Sequence, residues 1–378
     1  MRRALFPIPM ALLLGGVLLT GLLLAGALPA TTTRTPGDWS AFAQDFVQDD
    51  GRVIDHEAAS ISTSEGQAYA LFFALVANDR PRFEKVLRWA DDNLAAGRID
   101  ERAMAWKWGR DDAGQWRVLD ANAASDADLW MAYTLYEAAR RWQVPEFRLK
   151  AHAMQAHVAR DLVRDIDGRP ILLPGPEGFS LTDGGVRVNP SYLPLFLLRG
   201  LAREAPEGPW KAMAESLPAM LAPSPAKIAP DWLHVRPDAG FALADNFPVG
   251  SYDAIRVYLW AGMTHDDDPQ RAAVLAALDG MLACIDERGR VAERIDANSG
   301  ECMGTADTGF SWAVLPFLMA REELALAARV RAATAADPIG KRYYPRSLEQ
   351  FAAGWMKGQF RFAADGRLLL GEESACVR

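Results

Sequence analysis

The chain has 378 residues, and its 41 Lys+Arg against 49 Asp+Glu leave a formal charge of −8 with no basic run, which argues against nucleic acid and anionic lipid surfaces as partners. Three cysteines (Cys284, Cys302, Cys376) without a CxxC pair, and five histidines without an HExxH spacing, give no ground for a disulfide framework or a metal site. No glycine-rich phosphate loop is present and no cofactor is expected, while twelve tryptophans are many for this length.

Residues 1–30 (MRRALFPIPMALLLGGVLLTGLLLAGALPA) run from two arginines through an apolar stretch to small residues, the layout of a secretory signal peptide; the run is also long enough to serve as a membrane anchor if retained. Beyond it, apolar residues recur at helical spacing, and alternating strand patterns are scarce. The spacing predicts helices over 38–48, 64–78, 82–96, 126–142, 146–165, 190–203, 208–221, 251–263, 269–284, 309–320, 321–335 and 346–357, an all-α chain. Short links such as NDRP (78–81), VPE (144–146) and HDDD (265–268) make consecutive helices antiparallel. The long segments 97–125, 166–189, 222–250 and 285–308 each lead into an even-numbered helix, which suggests a closed ring of helical hairpins with every even helix starting at one rim. One disulfide, Cys284 to Cys302, is open to the chain in an oxidising compartment.

The even helices open with TSEG (Glu65), ASDAD (Asp126, Asp128), NPSY (Tyr192), GSYDAIR (Tyr252, Asp253, Arg256) and TADTGF (Asp307). Any one acid here could be a helix cap, since acidic and hydroxyl residues belong at helix starts. Brought to one rim, they would form a cleft of carboxylates with an arginine and aromatics. No nucleophilic Cys and no Ser/His pair accompanies them, and such a set suits acid–base hydrolysis of a glycoside. Sugar rings stack on flat side chains, so Trp106, Trp108, Trp130, Tyr192 and Tyr252 are candidate substrate contacts, with Arg256 among them. Glu65 would supply the proton although a helix start favours its charged form, so a neighbouring ionised Asp126 and burial by a bound sugar would have to hold the proton there. Asp253 would be the base, kept charged by Arg256 if that side chain folds back.

The stretch ASDADLWMAYTLYEAARRW (124–142) resembles the signature of glycoside hydrolase family 8, and TSEGQAYALFFALVANDR, NPSYLPLF and FPVGSYDAIRVYLWAGM are similar to the endoglucanase subgroup encoded with bacterial cellulose synthase. Thr134 and Tyr136 depart from the signature in the middle of its helix. The resemblance implies one (α/α)6 barrel of six helical hairpins over 31–378, an inverting endo-β-1,4-glucanase and a periplasmic or secreted location. It implies Glu65 as general acid, Asp253 as general base, Asp126 at the cleaved sugar and Tyr192 near the attacking water. The implied partners are a β-1,4-glucan chain and the cellulose synthase and export complex. Xylan, chitosan or mixed-linkage glucan are alternative substrates within the family. A glycan-binding scaffold without turnover is the reading from another class, disfavoured because a pure binder has no need of an acid and a base on opposite sides of a bond.

Overall fold

The run from Ala68 to Leu75 is apolar on every side, and a helix of that kind is stable only when surrounded by other elements. By contrast, the helix after it buries Phe83, Val86, Leu87, Ala90 and Leu94 at 3- and 4-residue spacing and leaves its other face to water. This difference between all-round and one-sided burial sorts the helices of the chain. A computed structural model describes residues 35–244, 248–337, 339–371 and 373; the expected export segment, 1–30, lies outside them.

Among the described residues there are thirteen helices: α1 (Trp39–Phe46), α2 (Ser64–Val76), α3 (Arg80–Leu94), α4 (Ser125–Trp142), α5 (Pro145–Asp161), α6 (Leu195–Glu204), α7 (Trp210–Leu221), α8 (Ile255–Met263), α9 (Arg271–Ala276), α10 (Gly280–Arg288), α11 (Thr308–Ala320), α12 (Leu324–Ala336) and α13 (Tyr343–Met356). The helices α2, α4, α6, α8, α11 and α13 are the fully enclosed set, and each packs on the next in that order. The ring closes where Phe72 and Phe73 of α2 meet Phe351 of α13, at 5.4 and 4.6 Å between ring centroids. The remaining helices are interleaved with these along the chain, which is the (α/α)6 barrel. None of the described helices is long and apolar enough to cross a membrane.

Two expected helices are broken. The stretch 269–284 divides into α9 and α10 because the backbone of 226–228 presses on Gly280: a Cβ there would lie 2.0 Å from the Ala226 carbonyl oxygen, and Gly280 N–H donates to Lys227 O at 3.0 Å. The stretch 190–203 begins as a 3-10 turn, Pro190–Tyr192, and α6 starts only after Pro194, since the residue before a proline is driven out of the helical region; Leu193 has φ −119° and ψ 58°. The segments between the helices and after the last one carry five small antiparallel sheets of two- to five-residue strands, too short for an alternating pattern to register in the sequence. One of them joins β1 (Ser62–Thr63), β2 (Lys107–Arg110) and β3 (Trp116–Asp120). Cys284 on α10 and Cys302 form the disulfide that the sequence left open, with Cα atoms 6.1 Å apart.

Trp130 is corrected by the fold. It stands on the barrel axis, 1% exposed, with ring centroids of Phe72, Phe196, Trp260 and Phe351 within 5.8 Å. Side chains from four inner helices enclose it, so it belongs to the core and offers no face to a sugar.

Candidate active site

Glu65 is the second residue of α2, and the cap of that helix is another residue: Thr63 Oγ1 accepts from Gly66 N–H at 3.0 Å. The Glu65 carboxylate is therefore free for other contacts. The helix start is pinned from the side, because Ser62 pairs with Trp108 across β1 and β2, and Ser64 N–H donates to Trp106 O at 3.0 Å.

Arg256 organises the rest. It is the second residue of α8, almost fully buried, and its guanidinium faces side chains from four elements. One terminal nitrogen donates to Glu65 Oε2, to the Tyr69 hydroxyl at 3.3 Å and to Asp126 Oδ2 at 3.5 Å. The other donates to Asp253 Oδ1 at 2.7 Å. The guanidinium carbon also lies 5.9 Å from the Tyr192 ring centre. Three carboxylates thus share one cation, and Glu65 on α2 and Asp253 in the turn leading into α8 belong to opposite positions of the ring.

Asp253 is not in the first turn of its helix, as predicted, because α8 begins at Ile255. The turn 251–254 is held instead by Asp231, whose Oδ1 accepts from Ser251 N–H and Ala254 N–H, both at 2.8 Å. Asp126, the second residue of α4, accepts from Ala127 N–H at 2.9 Å. Two residues on, Asp128 accepts from Met104 N–H at 3.0 Å and so ties the long loop before α4 to the barrel. Asp307 is the helix cap that its position suggested, accepting from Gly309 N–H at 2.8 Å and Phe310 N–H at 3.3 Å.

Depth separates the acids. The side chains of Glu65 and Asp253 are 22% and 32% exposed, whereas that of Asp126 is 3% exposed. Burial, and next the charge of Glu65, push the Asp126 carboxyl up to about 7 against the pull of Arg256. Burial thus favours the protonated form of Asp126, where the sequence reading had taken it as an ionised neighbour of Glu65. Burial also raises Asp128 to about 8 and Asp231 to about 6, and it carries the phenols of Tyr69, Tyr192 and Tyr344 well above their ordinary value. For Arg256, burial alone would weaken the charge, but Glu65 and its neighbours more than offset it.

Above the carboxylates opens a cavity of about 430 Å³ whose lining includes Glu65, Asp253, Arg256, Tyr252, Arg342 and Tyr344. Tyr252 is exposed, packs edge-on to Phe310 at 5.0 Å, and its carbonyl accepts from the Tyr344 hydroxyl at 2.5 Å. The structure thus gathers Glu65, Asp126, Tyr192, Tyr252, Asp253 and Arg256. Trp106 hangs from the segment beside the α2 start, half-buried, its indole bonded to the Asp120 carboxylate. Neither Trp106 nor Trp108 lines the cavity, and Trp108 stacks instead on Trp116. Four residues of the site escaped the sequence reading: Tyr69, Tyr344, Arg342 and Asp231. Tyr69 had a usable signal, lying four residues after Glu65 on the same helix face. Tyr344 was hidden because α13 starts three residues earlier than expected. Among the described residues no group of three or more His, Cys, Asp or Glu side chains could hold a metal ion.

A family model, Glycosyl hydrolases family 8, matches residues 10–358. The chain is 45% identical to an endoglucanase of Xanthomonas axonopodis pv. citri (strain 306), over 91% of this chain and 93% of that protein, and 39% identical to an endoglucanase of Escherichia coli (strain K12), over 94% and 96%. Its fold superposes on the crystal structure of an endo-1,4-D-glucanase from Vibrio fischeri ES114 with a TM-score of 0.79 at 35% identity, covering 88% of this chain and 98% of that one. With a barrel whose inner rim gathers three carboxylates, and a match across nearly its whole length, the chain belongs to the glycosyl hydrolases of family 8.

Proposed function

We propose that the protein is an endo-β-1,4-glucanase that cleaves β-1,4-glucan with inversion, Glu65 acting as general acid and Asp253 as general base. The observation that carries the reading is the clamp of Arg256 on Glu65, Asp126 and Asp253 at one rim of the barrel. An interposed guanidinium keeps the acid and the base from touching. Inversion needs such a gap, roughly 6.5–9.5 Å, so that a water fits between base and sugar, whereas retention needs about 5–5.5 Å. Asp253, tied to Arg256 and partly open to solvent, takes the proton of that water as it attacks the anomeric carbon. Glu65 gives its proton to the departing glycosidic oxygen. Asp126, whose protonated form is favoured by burial, keeps its proton and donates a hydrogen bond to the sugar at the point of cleavage, while a sugar that excludes water from Glu65 favours the protonated form of the acid. Tyr192, whose ring faces the Arg256 guanidinium, is assigned in this reading to holding the attacking water.

The natural setting that this reading favours is the periplasm or the cell exterior, during synthesis and export of cellulose by a synthase complex. The apolar segment 1–30 supports export, and the Cys284–Cys302 bond fits an oxidising compartment. Proton NMR of products in the first minutes, before mutarotation, tests the chemistry: β-linked glucan yields α-configured new reducing ends, and an initial β-anomer would refute inversion. Reducing ends released from carboxymethyl cellulose, set against xylan, chitosan and mixed-linkage glucan, decide the substrate.

A further inference from the structure

A second hollow, of about 820 Å³, opens on the outer wall of the barrel, between the loop around residues 48–52, the exposed face of α3 and the β2–β3 hairpin. None of its lining residues lines the carboxylate cavity. Three tryptophans step outward along it. Trp89 on α3 is buried; Trp108 on β2 meets it edge-on at 5.2 Å; Trp116 on β3 stacks on Trp108 at 5.0 Å with an angle of 11° and is 45% exposed. Arg52 fixes the outer pair, its guanidinium carbon lying 4.5 and 4.3 Å from the two ring centres while its Nε donates to Ser62 Oγ at 2.8 Å. Opposite, on the solvent face of α3, Arg88 and Asp92 stand one turn apart, and neither side chain forms an ion pair or hydrogen bond with another described residue.

Core packing explains Trp89 and the inner edge of Trp108, but it does not explain a fixed, nearly half-exposed indole facing charged groups that have no partner. Flat aromatics for the apolar face of a pyranose, together with free charged groups for its hydroxyls, are what a neutral glycan requires. The size suits a chain segment, since ligand sites span roughly 300–1,000 Å³. The hollow is also joined to the catalytic rim, because Trp108 pairs with Ser62, three residues before Glu65.

From this we infer that the Trp116 groove is a second, non-catalytic binding site for a β-1,4-glucan chain, which holds a long substrate on the outer wall while another part of the same chain lies in the cleft. The inference rests on the glucanase reading above. Two linked contacts raise the effective concentration of polymer at the cleft and leave short oligomers unaffected.

The test compares the parent protein with Trp116→Ala and with the double variant Arg88→Ala/Asp92→Ala, which removes only exposed side chains. Retardation in gels containing hydroxyethyl cellulose reads polymer binding, and kcat/KM on cellopentaose reads the cleft. Binding to the polymer is expected to weaken about tenfold for Trp116→Ala, by analogy with the loss of a flat ring from an aromatic platform, and several-fold for the double variant. Turnover of cellopentaose stays within twofold. The proposal is overturned if the folded variants bind polymer within twofold of the parent, or if cellopentaose turnover falls in step with polymer binding, which would make the groove part of the cleft. Should Trp116→Ala fail to fold, the double variant decides. If the parent cleaves no cellopentaose, it is the glucanase reading that fails.

Discussion

Replacing Arg256 by Gln removes the cation that bonds Glu65, Asp126 and Asp253 and leaves a shorter, uncharged side chain in its place. Two unit charges about 4 Å apart interact by about 4 kcal/mol at an effective dielectric constant near 20. Asp253 is 32% exposed, so solvent screens part of this; taking half, about 2 kcal/mol, protonation of the cluster becomes easier by about 1–2 pH units. The acidic limb of kcat/KM, measured on cellopentaose from pH 4 to 9, should move up by that amount. Arg256→Lys, which keeps a charge but loses the two-nitrogen fork, should leave the limb near its place with lower turnover. Stability carries the same signature, because the uncompensated carboxylates repel only when ionised: the loss of Tm in Arg256→Gln should be larger at pH 8 than at pH 5. A folded Arg256→Gln protein whose acidic limb has not moved, or whose Tm loss is equal at both pH values, refutes the clamp.

Asp128 is a buried acid pushed up to about 8 from an ordinary value near 4, so the folded state holds an extra proton and its stabilisation is lost as pH rises from about 4 through 8. Asp128→Asn can still accept from Met104 N–H; it should melt close to the parent at pH 4 and progressively higher than the parent toward pH 9, seen in Tm against pH. Trp130→Ala should cost about 3–5 kcal/mol of stability by opening the barrel axis, measured by denaturant unfolding. Trp106→Ala should instead weaken oligosaccharide binding by about 1–3 kcal/mol with a small change in Tm, read by titration calorimetry and thermal melting of the same variant. Gly262→Ala would place a Cβ 2.2 Å from Phe317 N, where α8 crosses α11, and should cost about 3 kcal/mol in the same unfolding assay.

The inner helices α2 and α11 were legible because they are apolar without a preferred side, and a run of that kind has no place on the surface of a protein. Outer helices such as α3 were legible for the opposite reason, their apolar stripe being narrow. What the pattern could not carry was anything decided by a distant backbone. The break between α9 and α10 depends on residues 226–228, some fifty positions away, and the delayed start of α8 depends on Asp231 catching the turn from outside. Some of the short strands also pair across gaps of comparable length, as Ser62 does with Trp108 and Val188 with Leu233.

In the site, the acids were legible and their floor was not, although the same spacing encodes both. Glu65 and Tyr69, Asp126 and Trp130, and Arg256 and Trp260 are three pairs four residues apart on three inner helices. On a helix that spacing keeps one face and descends about 6 Å. The upper members bond to one another, Arg256 reaching both Glu65 and Asp126. The lower members pack together one turn beneath, with ring centroids at 5.8 Å for Tyr69 and Trp130, 5.3 Å for Trp130 and Trp260, and 6.4 Å for Tyr69 and Trp260. Trp130 looked like a sugar contact because its helix opens at the rim, yet its place four residues below Asp126 assigns it to the second layer. That layer has a chemical consequence: an aromatic floor keeps water from reaching Asp126 from below, and burial is the largest influence raising that carboxyl. The tryptophan that cannot touch the sugar therefore acts on the proton that the reaction needs, through the medium in which Asp126 is held.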